Sequence, residues 1–115
     1  MTRSRQEIEA ARLLADAGFA AQAVSRAYYA AFYAAEQALG SLGESRSKHS
    51  GVIAAFSKVA VREGLDDEMG RVLRSLFEQR NVADYGEEAP SPEDAELAIR
   101  DAERLVGAVE SWLTT

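Results

Sequence analysis

Residues 20–42 read AAQAVSRAYYAAFYAAEQALGSL, and this stretch decides the fold. Apolar residues fall on nearly every side of the helix it predicts, whereas an amphipathic surface helix needs only one apolar stripe, so the segment belongs in the middle of a bundle. Tyr28, Tyr29, Phe32 and Tyr33 are four of the chain's nine aromatic residues, which concentrates aromatic packing on this one helix. The alanines around the rings let neighbouring helices come close. One line is different: Gln22, Arg26, Tyr29, Tyr33 and Gln37 are spaced by three or four residues and share a polar, aromatic face.

Working outward, Ile8, Ala11 and Leu14 lie on one face of a short helix over Ser4–Ala17, with Gly18 where a left-handed C-cap would end it. The central helix starts at about Phe19 and is stopped by two glycines and a serine in the Gly40–Gly43 region. Residues 40–50, GSLGESRSKHS, form a Gly/Ser-rich loop that holds Arg46, Lys48 and His49 close together. From about Ser47 or Ser50, Val52, Ile53, Phe56, Val59 and Ala60 have helical spacing, and Gly64 can close the element. A fourth helix starts near Asp66, with Asp66, Asp67 and Glu68 in the first turn, where the helix dipole favours acids. Its apolar face is Met69, Val72, Leu73, Leu76 and Phe77. Ser91-Pro92-Glu93-Asp94 is a helix start, with Ser91 as N-cap and Pro92 at the first helical position. The last helix has a seam at Ala95, Ala98, Ile99, Ala102, Leu105, Val106, Val109, Trp112 and Leu113. The expected fold is all-α, an up-and-down bundle of four to five helices forming one domain over residues 1–115.

Composition bounds the function. The chain has no cysteine, so no disulfide or thiolate metal site is possible. The charged start MTRSRQEIEA has no apolar run behind it, and no stretch is apolar enough to span a bilayer, so a soluble, cytoplasmic protein with no membrane partner is expected. A net charge of −6 argues against a broadly basic surface that grips nucleic acid, and it confines any RNA contact to a local cleft of a few arginines and lysines.

Arg80 is the residue that the helical pattern leaves unexplained. It continues the stripe of Leu73 and Leu76, so a guanidinium occupies a core-phase position and must be paired or open onto a cleft. Asp84, four residues on, and Glu36 of the central helix are candidate partners. One reading is an Arg80–Asp84 clamp that fixes the helix end; the other is an arginine that holds a phosphate, with Asp84 orienting it. Tyr85 either caps the core or contacts a phosphate or base. His49, the only histidine, is either a capping or surface residue or an imidazole for a site. No metal site can be assembled around it, and no Gly-rich phosphate loop, nucleophile elbow or paired-acid motif occurs, so no cofactor is expected.

Three segments in order, SRAYYAAFYAAEQAL (25–39), SKHSGVI (47–53) and RNVADYG (80–86), resemble the small prokaryotic HEPN-domain proteins. In that family a tyrosine-alanine-rich second helix, a Lys-His-Ser/Gly loop and an Arg-x-x-x-Asp-Tyr segment recur in this order. The resemblance implies a helical bundle that forms a homodimer, with the arginine segments of both chains facing a shared cleft. Many members of the superfamily are metal-independent ribonucleases, often toxins, whose signature is Arg followed after four to six intervening residues by His. Some are encoded beside a minimal nucleotidyltransferase that silences them, in certain systems by adding AMP to a tyrosine near that His. Here Arg80 matches the arginine, but the histidine positions hold Tyr85, Gly86 and Glu87, while Asp84 and Tyr85 match the Asp-Tyr variant. The resemblance therefore points to Arg80, Asp84 and Tyr85 as catalytic candidates and to Arg26, Tyr29, Tyr33, Lys48 and His49 as candidates for binding RNA or a nucleotide. Two functions stay open. One is a HEPN subunit of a two-component, toxin–antitoxin-like module that acts on or binds RNA, as an endoribonuclease or without catalysis. The other is a non-catalytic dimeric domain that binds a nucleotide or a partner protein.

Overall fold

Helix-forming composition and glycine or proline punctuation produce five helices in the computed structural model, which describes residues 1–86 and 88–115. They are α1 (Thr2–Asp16), α2 (Ala20–Ser41), α3 (His49–Arg62), α4 (Glu68–Tyr85) and α5 (Pro92–Leu113). Glu87, the last of the three positions that replace the expected histidine, lies outside the described residues. Among the described residues no helix is long and apolar enough to cross a membrane.

Helix α2 is the axis of the bundle, because among the described residues it alone touches all four others. The reason lies in its alanines: Ala23, Ala27, Ala30, Ala31, Ala34, Ala35 and Ala38 are all buried, so helices close in from several sides without a side chain to hold them off. The large core residues fill the remaining space. Tyr28, Phe56, Leu73, Leu76 and Leu105 are fully buried, each contributing about 2 kcal/mol relative to exposure.

The helix ends follow from local chemistry. At the end of α1, Gly18 has φ +90°, and the Phe19 and Gly18 amides donate to the Leu14 and Ala15 carbonyls at 2.8 and 3.1 Å. Gly43, with φ +73°, closes α2 in the same way. Both are Schellman turns, in which a left-handed residue lets two amides fold back on the last turn. Ser91 Oγ accepts from the Asp94 amide at 3.1 Å while Asp94 Oδ2 accepts from the Ser91 amide at 2.9 Å. This capping box and Pro92 start α5. At its far end Trp112 Nε1 donates to the Glu63 carbonyl at 2.8 Å, tying α5 to the turn after α3. Ion pairs of Arg5 with Glu110 and Arg12 with Glu103 join α1 to α5.

One expectation needs adjustment. The basic loop ends two residues earlier than its composition implies, because His49 is already the first residue of α3 and Lys48 is its N-cap. The start falls between the two candidate serines, at the point where the His49 ring stacks on Phe32.

Candidate functional site

The site is built where the last turns of α4 lie against the middle of α2. Arg80 reaches this seam because the 3.6-residue pitch carries the Leu73–Leu76 stripe onto it, and its side chain is only 13% exposed. Nη1 donates to the Tyr29 hydroxyl at 3.2 Å. Asp84 stands 3.9 Å away, at the outer limit of an ion pair. Among the described residues Nε is enclosed and has no hydrogen-bond partner. The guanidinium lies over the rings of Tyr28, Phe77 and Tyr29, with its carbon 5.1, 5.5 and 5.8 Å from their centroids. These rings attract a cation, but they do not satisfy its five N–H donors. Arg80 is thus positioned by aromatic faces and one hydroxyl and only weakly neutralised. Asp84 is not a tight clamp, since its Oδ1 instead accepts from Ser25 Oγ at 3.0 Å. Glu36 is exposed and makes no ion pair with Arg80 among the described residues.

On the other side of the same rings lies His49. Its Nδ1 is 2.7 Å from the Tyr28 hydroxyl, and its ring is stacked on Phe32 with centroids 4.2 Å apart. Burial holds the imidazole pKa below its ordinary value, the Arg80 charge pushes in the same direction, and Glu36 opposes both. Burial also pushes the Tyr28 phenol upward. Both groups are therefore neutral near pH 7. A phenol both donates and accepts and a neutral imidazole carries its proton on either nitrogen, so the direction of this hydrogen bond follows the His49 tautomer.

Part of the polar line of α2 is met by α1. Arg26 Nη1 pairs with Glu7 Oε2 at 2.9 Å, and its guanidinium lies over Tyr29 with its carbon 4.9 Å from the centroid. Arg3 lies over Tyr33 at 3.6 Å. Tyr33 in turn packs on Tyr29, with 5.9 Å between centroids. Gln22 and Gln37, at the two ends of the line, are exposed.

Among the sequence candidates, then, Arg80, Asp84, Tyr29 and His49 converge around Tyr28 and Tyr29, and Arg26 and Tyr33 extend the array along α2. Tyr85 and Lys48 lie outside the ring cluster. Tyr85 is 81% exposed and sits with Arg26, Asp84, Ser25 and Gln22 on the rim of an open groove of about 460 Å³. Lys48 is exposed beside His49. Three participants escaped the sequence reading. Tyr28 is not among the sequence candidates, although a fully buried hydroxyl needs a partner and that need is the available signal. Ser25 and Glu7 carry no signal of their own, because nothing local says which helix they will face. Among the described residues no group of three or more His, Asp or Glu side chains is arranged to hold a metal ion.

The model of the HEPN domain matches residues 1–112. The chain belongs to the HEPN domain family. This HEPN chain is 39% identical over 113 residues to a UPF0332 protein of Thermotoga maritima, covering 96% of this chain and 86% of that protein. It is 37% identical over 116 residues to the UPF0332 protein glr0978 of Gloeobacter violaceus, covering 98% and 92%. A relative from Methanocaldococcus jannaschii, named "Putative toxin MJ0605", is 34% identical over 111 residues, covering 96% of the HEPN chain and 83% of that protein.

Proposed function

We propose that this HEPN chain is the toxin-like subunit of a two-component module, working in the cytoplasm, and that it acts on or binds RNA through a homodimer cleft around Arg80. A minimal nucleotidyltransferase is the partner this reading expects. Arg80 carries the argument. Among the described residues its guanidinium is mostly buried, holds one hydrogen bond of 3.2 Å and has an enclosed Nε with no partner. A buried charge so poorly neutralised is costly, and an incoming anion removes that cost. A phosphodiester oxygen suits the planar fork, and the Tyr29 hydroxyl and Asp84 orient it. The rest of the chain is acidic, with a net charge of −6, so the contact is local and two copies facing one another would supply two arginines to one strand. The toxin names of relatives such as the Methanocaldococcus jannaschii protein support the reading.

A second reading is a non-catalytic dimeric domain that binds a nucleotide or a partner protein. The absence of a histidine five to seven residues after Arg80 favours it, since that imidazole is the proton-transfer group of the ribonuclease signature. One experiment separates the two. Purified protein and its Arg80→Ala variant are compared for RNA binding, RNA cleavage and growth arrest on overexpression. Wild type is expected to bind or cleave RNA and to arrest growth, and Arg80→Ala to lose these properties. Tight nucleotide binding without any action on RNA supports the second reading, and a wild type that neither binds nor cleaves RNA, with Arg80→Ala leaving growth unchanged, rejects the first.

A further inference from the structure

An open groove of about 460 Å³ lies between the first turns of α2 and the last turn of α4, lined by Gln22, Ser25, Arg26, Asp84 and Tyr85. That volume falls within the range of small-ligand sites, roughly 300–1,000 Å³. Ala21 and Ala83 complete the wall and are too small to fill it. Tyr85, the last residue of α4, is 81% exposed, so its ring borders the groove without packing into the core.

Asp84 belongs both to this groove and to the Arg80 site, since its carboxylate stands 3.9 Å from Arg80 Nη1. Oδ1 accepts from Ser25 Oγ at 3.0 Å, which holds the carboxylate between α2 and α4 and leaves lone pairs on both oxygens. Arg26 is held in turn, with Nη1 on Glu7 Oε2 at 2.9 Å and its carbon 4.9 Å from the Tyr29 centroid. A guanidinium has five N–H donors, so Arg26 keeps others for the groove. Gln22 is exposed and carries both donors and an acceptor. An exposed ring beside a fixed carboxylate and a fixed guanidinium is what an unpaired nucleobase requires: a face to stack on and polar groups for its edge.

We infer that this groove takes one unpaired guanine of a single-stranded RNA. The base stacks on Tyr85, its N1–H and N2–H donate to the Asp84 carboxylate, and its O6 accepts from Arg26 or Gln22. The inference deepens the RNA reading and rests on it for the strand. Guanine fits because its Watson–Crick edge sets two N–H donors side by side next to one acceptor. Adenine and cytosine present one donor group next to a ring-nitrogen acceptor, and uracil one donor between two carbonyls, so each turns a lone pair towards the carboxylate. An ionised carboxylate only accepts, and it therefore selects the edge with two adjacent donors. Asp84 is one helical turn from Arg80, so the phosphate held by Arg80 belongs to the guanine nucleotide or its neighbour.

Fluorescence anisotropy of the full chain with short oligouridine strands carrying one central guanine, inosine or adenine tests the groove. The guanine strand is expected to bind about tenfold tighter than the adenine and all-uridine strands, the discrimination of one bidentate base contact. Inosine, which lacks the N2 amino group, should fall between. Asp84→Asn replaces one acceptor with a donor and should bring the guanine-to-adenine ratio close to one. Tyr85→Ala should weaken the guanine strand about tenfold, and Tyr85→Phe, which keeps the ring, should restore it. A guanine preference that survives both Asp84→Asn and Tyr85→Ala overturns the inference. If wild type binds all strands alike and Arg80→Ala abolishes that binding, the inference fails while the Arg80 reading stands. If no strand binds, but calorimetry shows GMP bound in preference to AMP and the preference lost in Asp84→Asn, the groove keeps its guanine and the RNA reading fails. Binding of neither RNA nor GMP overturns both.

Discussion

The Tyr29 hydroxyl accepts a hydrogen bond from Arg80 Nη1 at 3.2 Å, joining the centre of α2 to the penultimate turn of α4. This is the one close polar bond that Arg80 makes among the described residues, and it places the guanidinium over three rings and not against a carboxylate.

Removing that hydroxyl in Tyr29→Phe keeps the ring that Arg80, Arg26 and Tyr33 pack against. The expected loss of stability in denaturant unfolding is therefore small, about 1 kcal/mol. RNA binding should weaken more than stability does, because the arginine loses the bond that orients it. A stability loss of several kcal/mol with unchanged RNA binding would make Tyr29 a structural residue only.

At Gly70 α4 lies tightly against Ser57 of α3. A Cβ built there stands 2.8 Å from Ser57 Oγ and 3.1 Å from the Ser57 Cα. Ser57 Oγ is itself held by the Ile53 carbonyl at 3.0 Å. Gly70→Ala should therefore destabilise the fold by about 1–3 kcal/mol through overpacking, although alanine is the better helix former. Adding Ser57→Ala should recover only part of the loss, since the backbone contact remains. Thermal unfolding of the single and double variants checks both statements.

Stability should also respond to pH through His49. In the folded chain its pKa lies below the ordinary 6.5, so on acidification the unfolded chain takes up the proton first. The native state is then favoured fully above about pH 7.5 and loses that advantage as pH falls through 6.5 towards the folded value. In His49→Gln, whose side-chain oxygen can still accept from Tyr28, this component should vanish. Urea unfolding at intervals between about pH 7.5 and 5.5 reads the difference, and equal slopes for the two proteins would contradict it.

Much of this architecture is legible along the chain because it is local. Ser91, Pro92 and Asp94 announce the start of α5 by their own capping chemistry, Gly18 and Gly43 mark helix ends that need positive φ, and helical pitch alone puts Arg80 in core phase. The resemblance of three segments to HEPN proteins is likewise carried by short motifs. What pitch does not reveal is which helix meets a given face. Ser25 and Asp84 are 59 residues apart and Tyr28 and His49 are 21 apart, so these bonds exist only once the bundle has closed. Pitch likewise groups Arg26, Tyr29 and Tyr33 on one face of α2 without revealing that Glu7 of α1 pairs with Arg26 and Arg3 lies over Tyr33.

The central claim is that Arg80 is kept for an anionic ligand and not for the fold, and Arg80→Met tests it most directly when stability and RNA binding are measured on the same preparation. Methionine fills the space over the three rings without an unpaired charge, and Asp84, still bonded to Ser25, is not left as an isolated buried carboxylate. Stability should be unchanged or higher by about 1 kcal/mol, while RNA affinity should fall by about tenfold or more. A loss of about 3 kcal/mol, the cost of breaking a true buried ion pair, with RNA binding at the wild-type level, would contradict the account.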